Sequence, residues 1–248
     1  GWQLIGFIHG VMNTDNMAIS GETIDYGPCA FMNVYRPETV FSSIDHTGRY
    51  AYGNQPAIGQ WNLTRFAETL LPLLAPDREQ AVACALELLN DFPKIYEQFW
   101  LDGMRRKLGL TTAAEDDQAL VQALLDWMSA HQADFTNTFR DLSDGTLTDE
   151  RYQQPDFQAW QTQWHARLQR EGSSLAVAQA RMQSVNPAVI PRNHQVEAAL
   201  SAAESHGDLS VLERLLAVLA APYQADAAAA PYREPSPDDD RYQTFCGT

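Results

Sequence analysis

From Trp61 onward the apolar residues of this 248-residue chain recur at three- and four-residue intervals, and that period restricts the body of the molecule to packed helices. Leu63, Phe66, Ala67, Leu70, Leu71 and Leu74 fall on one helical stripe. Pro76-Asp77 followed by Glu79 opens a further helix, whose apolar face includes Val82, Leu86 and Leu89. The same spacing predicts helices near 78–91, 93–108, 113–131, 133–142, 156–170, 173–183, 193–205 and 208–220. Gly103, Gly109, Gly145, Gly172 and Pro187 are the expected breaks, and Asn193 the expected cap of the helix it begins. No fixed repeat period emerges, so the expected fold class is mainly α.

Composition narrows the functional classes. An apolar content of 45% agrees with a globular core, and a chain of this length buries roughly 70–75% of its extended surface. A net charge of −15, from 32 acidic against 17 basic residues, argues against nucleic acid or an anionic membrane as a partner, because both require a cationic surface. Cys29, Cys84 and Cys246 are widely spaced, which indicates neither a zinc site nor a disulfide framework and suits a reducing compartment. No apolar run approaches the length of a membrane span. The cysteine usage suits the cytoplasm; a bacterial protein acting as a monomer is the expectation.

The chemistry gathers near the beginning. Trp2 to Ile8 is apolar and reads either as a strand or as the end of a buried helix. Then come Asp15, Asn16 and Asp25, two carboxylates and one amide oxygen within eleven residues, a hard-oxygen set of the kind Mg²⁺ takes. Met17-Ala18-Ile19 and Thr23-Ile24 flank Ser20-Gly21, which predicts a small β-hairpin that returns Asp25 to Asn16. The spacing adds specificity. Protein kinases carry H-R-D-x-x-x-x-N followed by D-F-G, with the Asn and second Asp on the metal. Here His9 precedes Asn16 by the same seven positions, and Asp25-Tyr26-Gly27 occupies the D-F-G place. The kinase base position is Val11, which accepts no proton, whereas Asp15 sits beside Asn16. His9 itself reads as a structural residue bonded to backbone. From Cys29 to Gln60 regular spacing is lost, which predicts a long functional loop.

Several stretches together resemble the selenoprotein O (SelO, YdiU) family. They are His9-Gly-Val-Met-Asn-Thr-Asp-Asn16, Ile24-Asp-Tyr-Gly-Pro28, Gly48-Arg-Tyr-Ala-Tyr-Gly-Asn-Gln-Pro56, Trp61-Asn-Leu63, Asn186-Pro187, Ile190-Pro-Arg-Asn-His194 and Tyr242-Gln-Thr-Phe-Cys-Gly-Thr248. The resemblance implies a kinase-like fold, of which this chain is the C-terminal lobe with extra C-terminal helices. It implies a protein adenylyltransferase that moves AMP from ATP to Ser, Thr or Tyr hydroxyls of proteins. Asp15 is then the proton acceptor, Asn16 and Asp25 hold Mg²⁺, with Mn²⁺ as the alternative ion, and Asp25 also lies close to the nucleotide. Residues 1–220 are expected to form the lobe, and the loop after Cys29 its activation segment.

Other features complete the expectation. Gly1 opens the chain and no phosphate-binding Gly-rich loop is present, so the chain reads as the C-terminal portion of a longer protein, inactive or nearly so by itself. Residues 221–248 read as a flexible tail, rich in Ala and Pro with an Asp run at 238–240, whose end at Tyr242, Phe245 and Cys246 is expected to dock back on the lobe. The family resemblance suggests redox pairing of Cys246 with Cys29. Arg49 and Arg192 are candidate phosphate or phosphopeptide contacts, against the simpler reading of surface ion pairs. Two further functions stand on the same residues: a protein kinase, and a nucleotide-binding interaction module without catalysis.

Overall fold

A computed structural model describes residues 1–236 and 242–245. Pro237, the Asp run at 238–240 and Cys246 lie outside the described residues, and with them the Cys29–Cys246 pairing. In chain order the elements are α1 (Trp2–Ile5), β1 (Phe7–Ile8), β2 (Ala30–Phe31), α2 (Gln55–Leu74), α3 (Arg78–Lys107), α4 (Asp117–Ala130), α5 (Phe135–Asp144), α6 (Pro155–Arg170), α7 (Leu175–Gln183), α8 (Asn193–His206) and α9 (Ser210–Leu219). The fold is mainly helical. Among the described residues β1 and β2 form the one small sheet.

The predicted hairpin over 17–24 is not formed. Its tight turn is present, with the Gly21 N–H bonded to the Ala18 carbonyl at 3.0 Å and Gly21 at φ 76°. Strands do not flank that turn, because the polar stretch beyond it has no neighbouring strand, and pairing occurs instead between β1 and β2 outside it. The helices predicted at 78–91 and 93–108 are one helix, α3, which runs through Pro93. A proline withdraws the N–H that would bond the carbonyl four residues earlier. Here that freed carbonyl, on Leu89, accepts from Gln60 Nε2 at 3.0 Å, so the helix continues without an orphaned acceptor. Gly103 likewise does not end a helix. It lies inside α3, where a Cβ would stand 2.3 Å from a Leu4 methyl carbon, so its role is close packing.

The chain divides into two compact units, one of residues 1–6, 31–36 and 101–242, the other of residues 7–30, 37–100 and 243–248. The first unit holds a dense aromatic core in which Phe135, Phe139, Phe157, Trp164, Leu124, Met128 and Leu142 are fully buried. Trp160 and Trp164, one turn apart on α6, stack at 5.7 Å and donate their indole N–H groups to the carbonyls of Leu120 and Leu108 at 2.9 Å. Buried Asp117 is paired with two arginines, Arg105 at 2.6 Å and Arg167 at 2.7 Å. Their guanidinium groups hold its carboxyl below the usual range despite the opposing effect of burial. Arg192 is equally structural. It is 1% exposed and its fork meets both Asp134 oxygens, at 2.7 and 3.1 Å, and Asn33 at 2.5 Å, which removes it as a phosphate contact. Asn193 is not a cap: it lies inside α8 and its amide bonds the backbone of Phe31.

In the second unit, α2 starts six residues earlier than the apolar stripe suggests, with Pro56 in its first turn. Its buried residues are Gln55, Gly59 and Asn62, which share one face at i, i+4 and i+7. The expected apolar stripe stays part-exposed: Leu63, Phe66 and Leu74 remain 37–41% accessible, and Leu86 on α3 51%.

Candidate active site

The second unit gathers the oxygen donors through a network of backbone contacts. Gly6 ends α1 with φ 71°, and the chain then runs through β1 into His9. His9 is fully buried. Its Nε2 bonds the Ile24 carbonyl at 2.8 Å, and its Nδ1 accepts from the Val11 N–H at 3.4 Å. Those two bonds assign the proton to Nε2 and leave the ring no nitrogen for catalysis; the structural reading of His9 holds. Gly10 follows at φ 89°, where a Cβ would lie 2.5 Å from the Pro28 carbonyl oxygen. Only glycine lets the loop pass that close to the segment carrying Asp25.

The loop then closes in a short turn, Thr14–Asn16, whose cap is Asn13: its side-chain oxygen accepts from the Asp15 and Asn16 N–H groups, both at 3.1 Å. Asn16 donates its two amide hydrogens to the Val11 carbonyl at 2.9 Å and to Asp25 Oδ2 at 2.8 Å. Both partners are acceptors, so the amide orientation is fixed by chemistry and its oxygen is left without a hydrogen bond among the described residues. Asp25 is held at φ 57°, a left-handed backbone that few non-glycine residues adopt and that turns its carboxylate toward Asn16. Asp15 is exposed, and its carboxylate has no partner among the described residues. The two residues nine positions apart are thus in contact as expected, although a turn with a positive-φ residue, rather than a hairpin, brings them together.

Two residues that sequence reasoning passed over hold this arrangement. Gln55 accepts from the His9 N–H at 3.0 Å and donates to the Phe7 carbonyl at 3.0 Å, so a single amide braces the strand entering the loop. Asn62, one helical face further along, donates to the Met12 carbonyl at 2.9 Å. Their signal in the sequence is a pair of polar side chains seven apart on a helix start. Of the tail, Thr244 reaches this unit: it pairs with Phe41 and Ser43 through bonds of 2.8 and 2.9 Å, and its hydroxyl donates to the Pro28 carbonyl at 2.6 Å. Thr244 therefore docks on this unit, Tyr242 docks within the first unit by donating its hydroxyl to Glu197 Oε1 at 2.9 Å, and Phe245 stays 72% exposed. Cys29, one residue on from Pro28, is half-buried, and that burial, reinforced by the nearby Asp25 charge, pushes its thiol pKa up.

The donor set fits a small hard cation. The Asn16 amide oxygen, the second Asp25 oxygen and the Asp15 carboxylate remain open to a ligand, and Mg²⁺ is held by one or two carboxylates with phosphate oxygens and water completing its shell. No cluster of three or more His, Cys, Asp or Glu suited to a metal occurs among the described residues.

Comparison with known proteins gives a consistent family. The profile described as "Protein adenylyltransferase SelO" matches residues 1–220. Relatives described as "Protein nucleotidyltransferase YdiU" align over the whole chain: one from Geobacillus kaustophilus is 57% identical, one from Syntrophotalea carbinolica 54%, and one from Clostridium botulinum 53%. In each case the chain covers 51% of the relative, so it spans about half the length of the curated relatives it matches.

Proposed function

The chain belongs to the SelO family, and on that premise we propose that the protein it represents is a Mg²⁺-dependent protein adenylyltransferase, which moves AMP from ATP to Ser, Thr or Tyr hydroxyls of other proteins. The observation that carries this reading is the 2.8 Å contact between Asn16 and Asp25, with the unpartnered carboxylate of Asp15 on the same short turn. A kinase-like C-terminal lobe over residues 1–220, with residues 221–248 as its tail, is the fold we assign to it, on the His9-to-Asn16 interval and the Asp25-Tyr26-Gly27 sequence.

In this mechanism Asp15 accepts the proton of the acceptor hydroxyl as its oxygen forms a bond to the α-phosphorus of ATP. The bond from that phosphorus to the bridging oxygen breaks, and pyrophosphate leaves with the bonding electron pair. Asn16 and Asp25 would hold a cation, Mg²⁺ or Mn²⁺, which when bound would supply positive charge against the charge building up on the phosphates. Asp25 would also lie close to the nucleotide. Val11 is buried and cannot take a proton, so the place where kinases keep their base is vacated and Asp15 is the acceptor. On its family and its cysteine usage we assign the protein to the cytoplasm, and we take it to act as a monomer. Among the described residues no helix is long and apolar enough to cross a membrane.

The test uses the full-length protein with Mg²⁺, acceptor protein and ATP labelled at either the α- or the γ-phosphate. Covalent α-label that is lost in Asp25→Ala is the expected result. Covalent γ-label would make the protein a kinase, and bound ATP without transfer would leave an interaction module.

A further inference from the structure

The second unit carries an arginine prepared for an anion that the chain does not supply. Arg49 is exposed, and its guanidinium lies 4.7 Å from the centre of the Trp61 ring and 5.7 Å from that of Tyr50. Arg65 lies over the same indole at 5.4 Å. Acidic residues outnumber basic ones 32 to 17, yet among the described residues Arg49 makes no ion pair. Its nearest acid in sequence is otherwise engaged: Asp45 Oδ1 accepts from the Arg49 N–H at 2.9 Å and Oδ2 from the Tyr50 N–H at 2.8 Å. That carboxylate orders the backbone of the turn and leaves the guanidinium uncompensated. The turn is further fixed by Gly48 at φ 71° and by Asn54 Nδ2, which donates to the Gly48 carbonyl at 2.7 Å.

We propose that Arg49, stacked on Trp61, binds an acidic side chain of the protein substrate and so gives the enzyme a preference for acceptor hydroxyls flanked by Asp or Glu. This rests on the adenylyl-transfer reading only in that the acceptor is a protein. A guanidinium held over a ring face keeps its N–H donors for another partner, and arginine's planar fork meets a carboxylate at two points. Arg49 and Trp61 belong to the same unit as the loop bearing Asp15, and Asn62, next to Trp61 in α2, donates to the Met12 carbonyl of that loop at 2.9 Å. Arg65 is the weaker member because Glu68 already pairs with it at 2.8 Å.

The experiment measures binding of fluorescent peptides to the full-length protein without ATP. One peptide has Glu on both sides of a Ser, a second has Gln there, and a third has phosphoserine in the flanking positions. The Glu peptide should bind roughly three- to tenfold more tightly than the Gln peptide at low salt, and Arg49→Gln should remove that difference. Arg49→Lys should restore little of it, since a lysine keeps the charge and loses the fork. Because Arg49 is exposed and unpaired, these variants should melt with the wild type. Equal binding of Glu and Gln peptides, a preference that survives Arg49→Gln, or binding of the phosphoserine peptide alone would overturn the proposal. The readout needs no catalysis, so absence of AMP transfer would count against the proposed function and leave this result independent.

Discussion

At the scale of single residues, the site depends on groups that perform no chemistry. Gly10 passes the Pro28 carbonyl at a distance no Cβ tolerates and with a backbone that disfavours any side chain. Gly10→Ala should therefore cost about 1–3 kcal/mol in unfolding experiments and lower Mg²⁺-dependent ATP affinity in the full-length protein. Gln55→Ala leaves a buried N–H on His9 and a carbonyl on Phe7 without their partner, and should cost about 1–3 kcal/mol by the same measurement. The approach of Asn16 to Asp25 was legible because donor chemistry and spacing both mark the pair. Gln55 and Asn62 were not, since a polar residue on a helix is ordinarily solvated and only the fold reveals that these two face inward.

At the scale of elements, the helical period located α4 to α9 to within a few residues, because each buries an apolar face against neighbours inside the same unit. Prolines and glycines misled where tertiary contacts compensate for them. Pro93 sits within α3 because Gln60 takes over the Leu89 carbonyl, and that explanation can be tested as a cycle. Gln60→Ala should lower stability by about 1 kcal/mol, whereas in a Pro93→Ala background, where residue 93 regains its N–H, the same change should cost much less. Equal costs in both backgrounds would refute the compensation. The apolar stripe of α2 was equally legible, but its burial was not, since periodicity says which residues share a face and not what covers it. Leu73 at 81% and Phe99 at 71% exposure predict that this chain binds a hydrophobic dye under native conditions. Leu73→Gln with Phe99→Gln should weaken that binding with little change in melting temperature.

For the whole molecule, stability should carry the signature of one buried amine. Lys107 is completely buried, donates to Asn186 Oδ1 at 2.8 Å and lies 4.0 Å from the Phe139 ring centre, and burial pushes its pKa down to about 7. Between pH 7 and the ordinary lysine value the unfolded chain therefore holds a proton that the folded chain lacks, so stability rises with pH through that window. The gain should be on the order of 1–3 kcal/mol between pH 7 and pH 9, and Lys107→Met should flatten it. The chain's span of about half its relatives also sets the scale at which activity must be measured: the full-length protein. The assignment of Asp15 as proton acceptor, distinct from Asn16 and Asp25 as cation ligands, is tested by single-turnover AMP transfer in full-length Asp15→Asn, with ATP affinity measured on the same sample. Transfer should fall at least about a hundredfold while ATP binding stays within about threefold of wild type. Transfer at the wild-type rate would remove Asp15 from the chemistry.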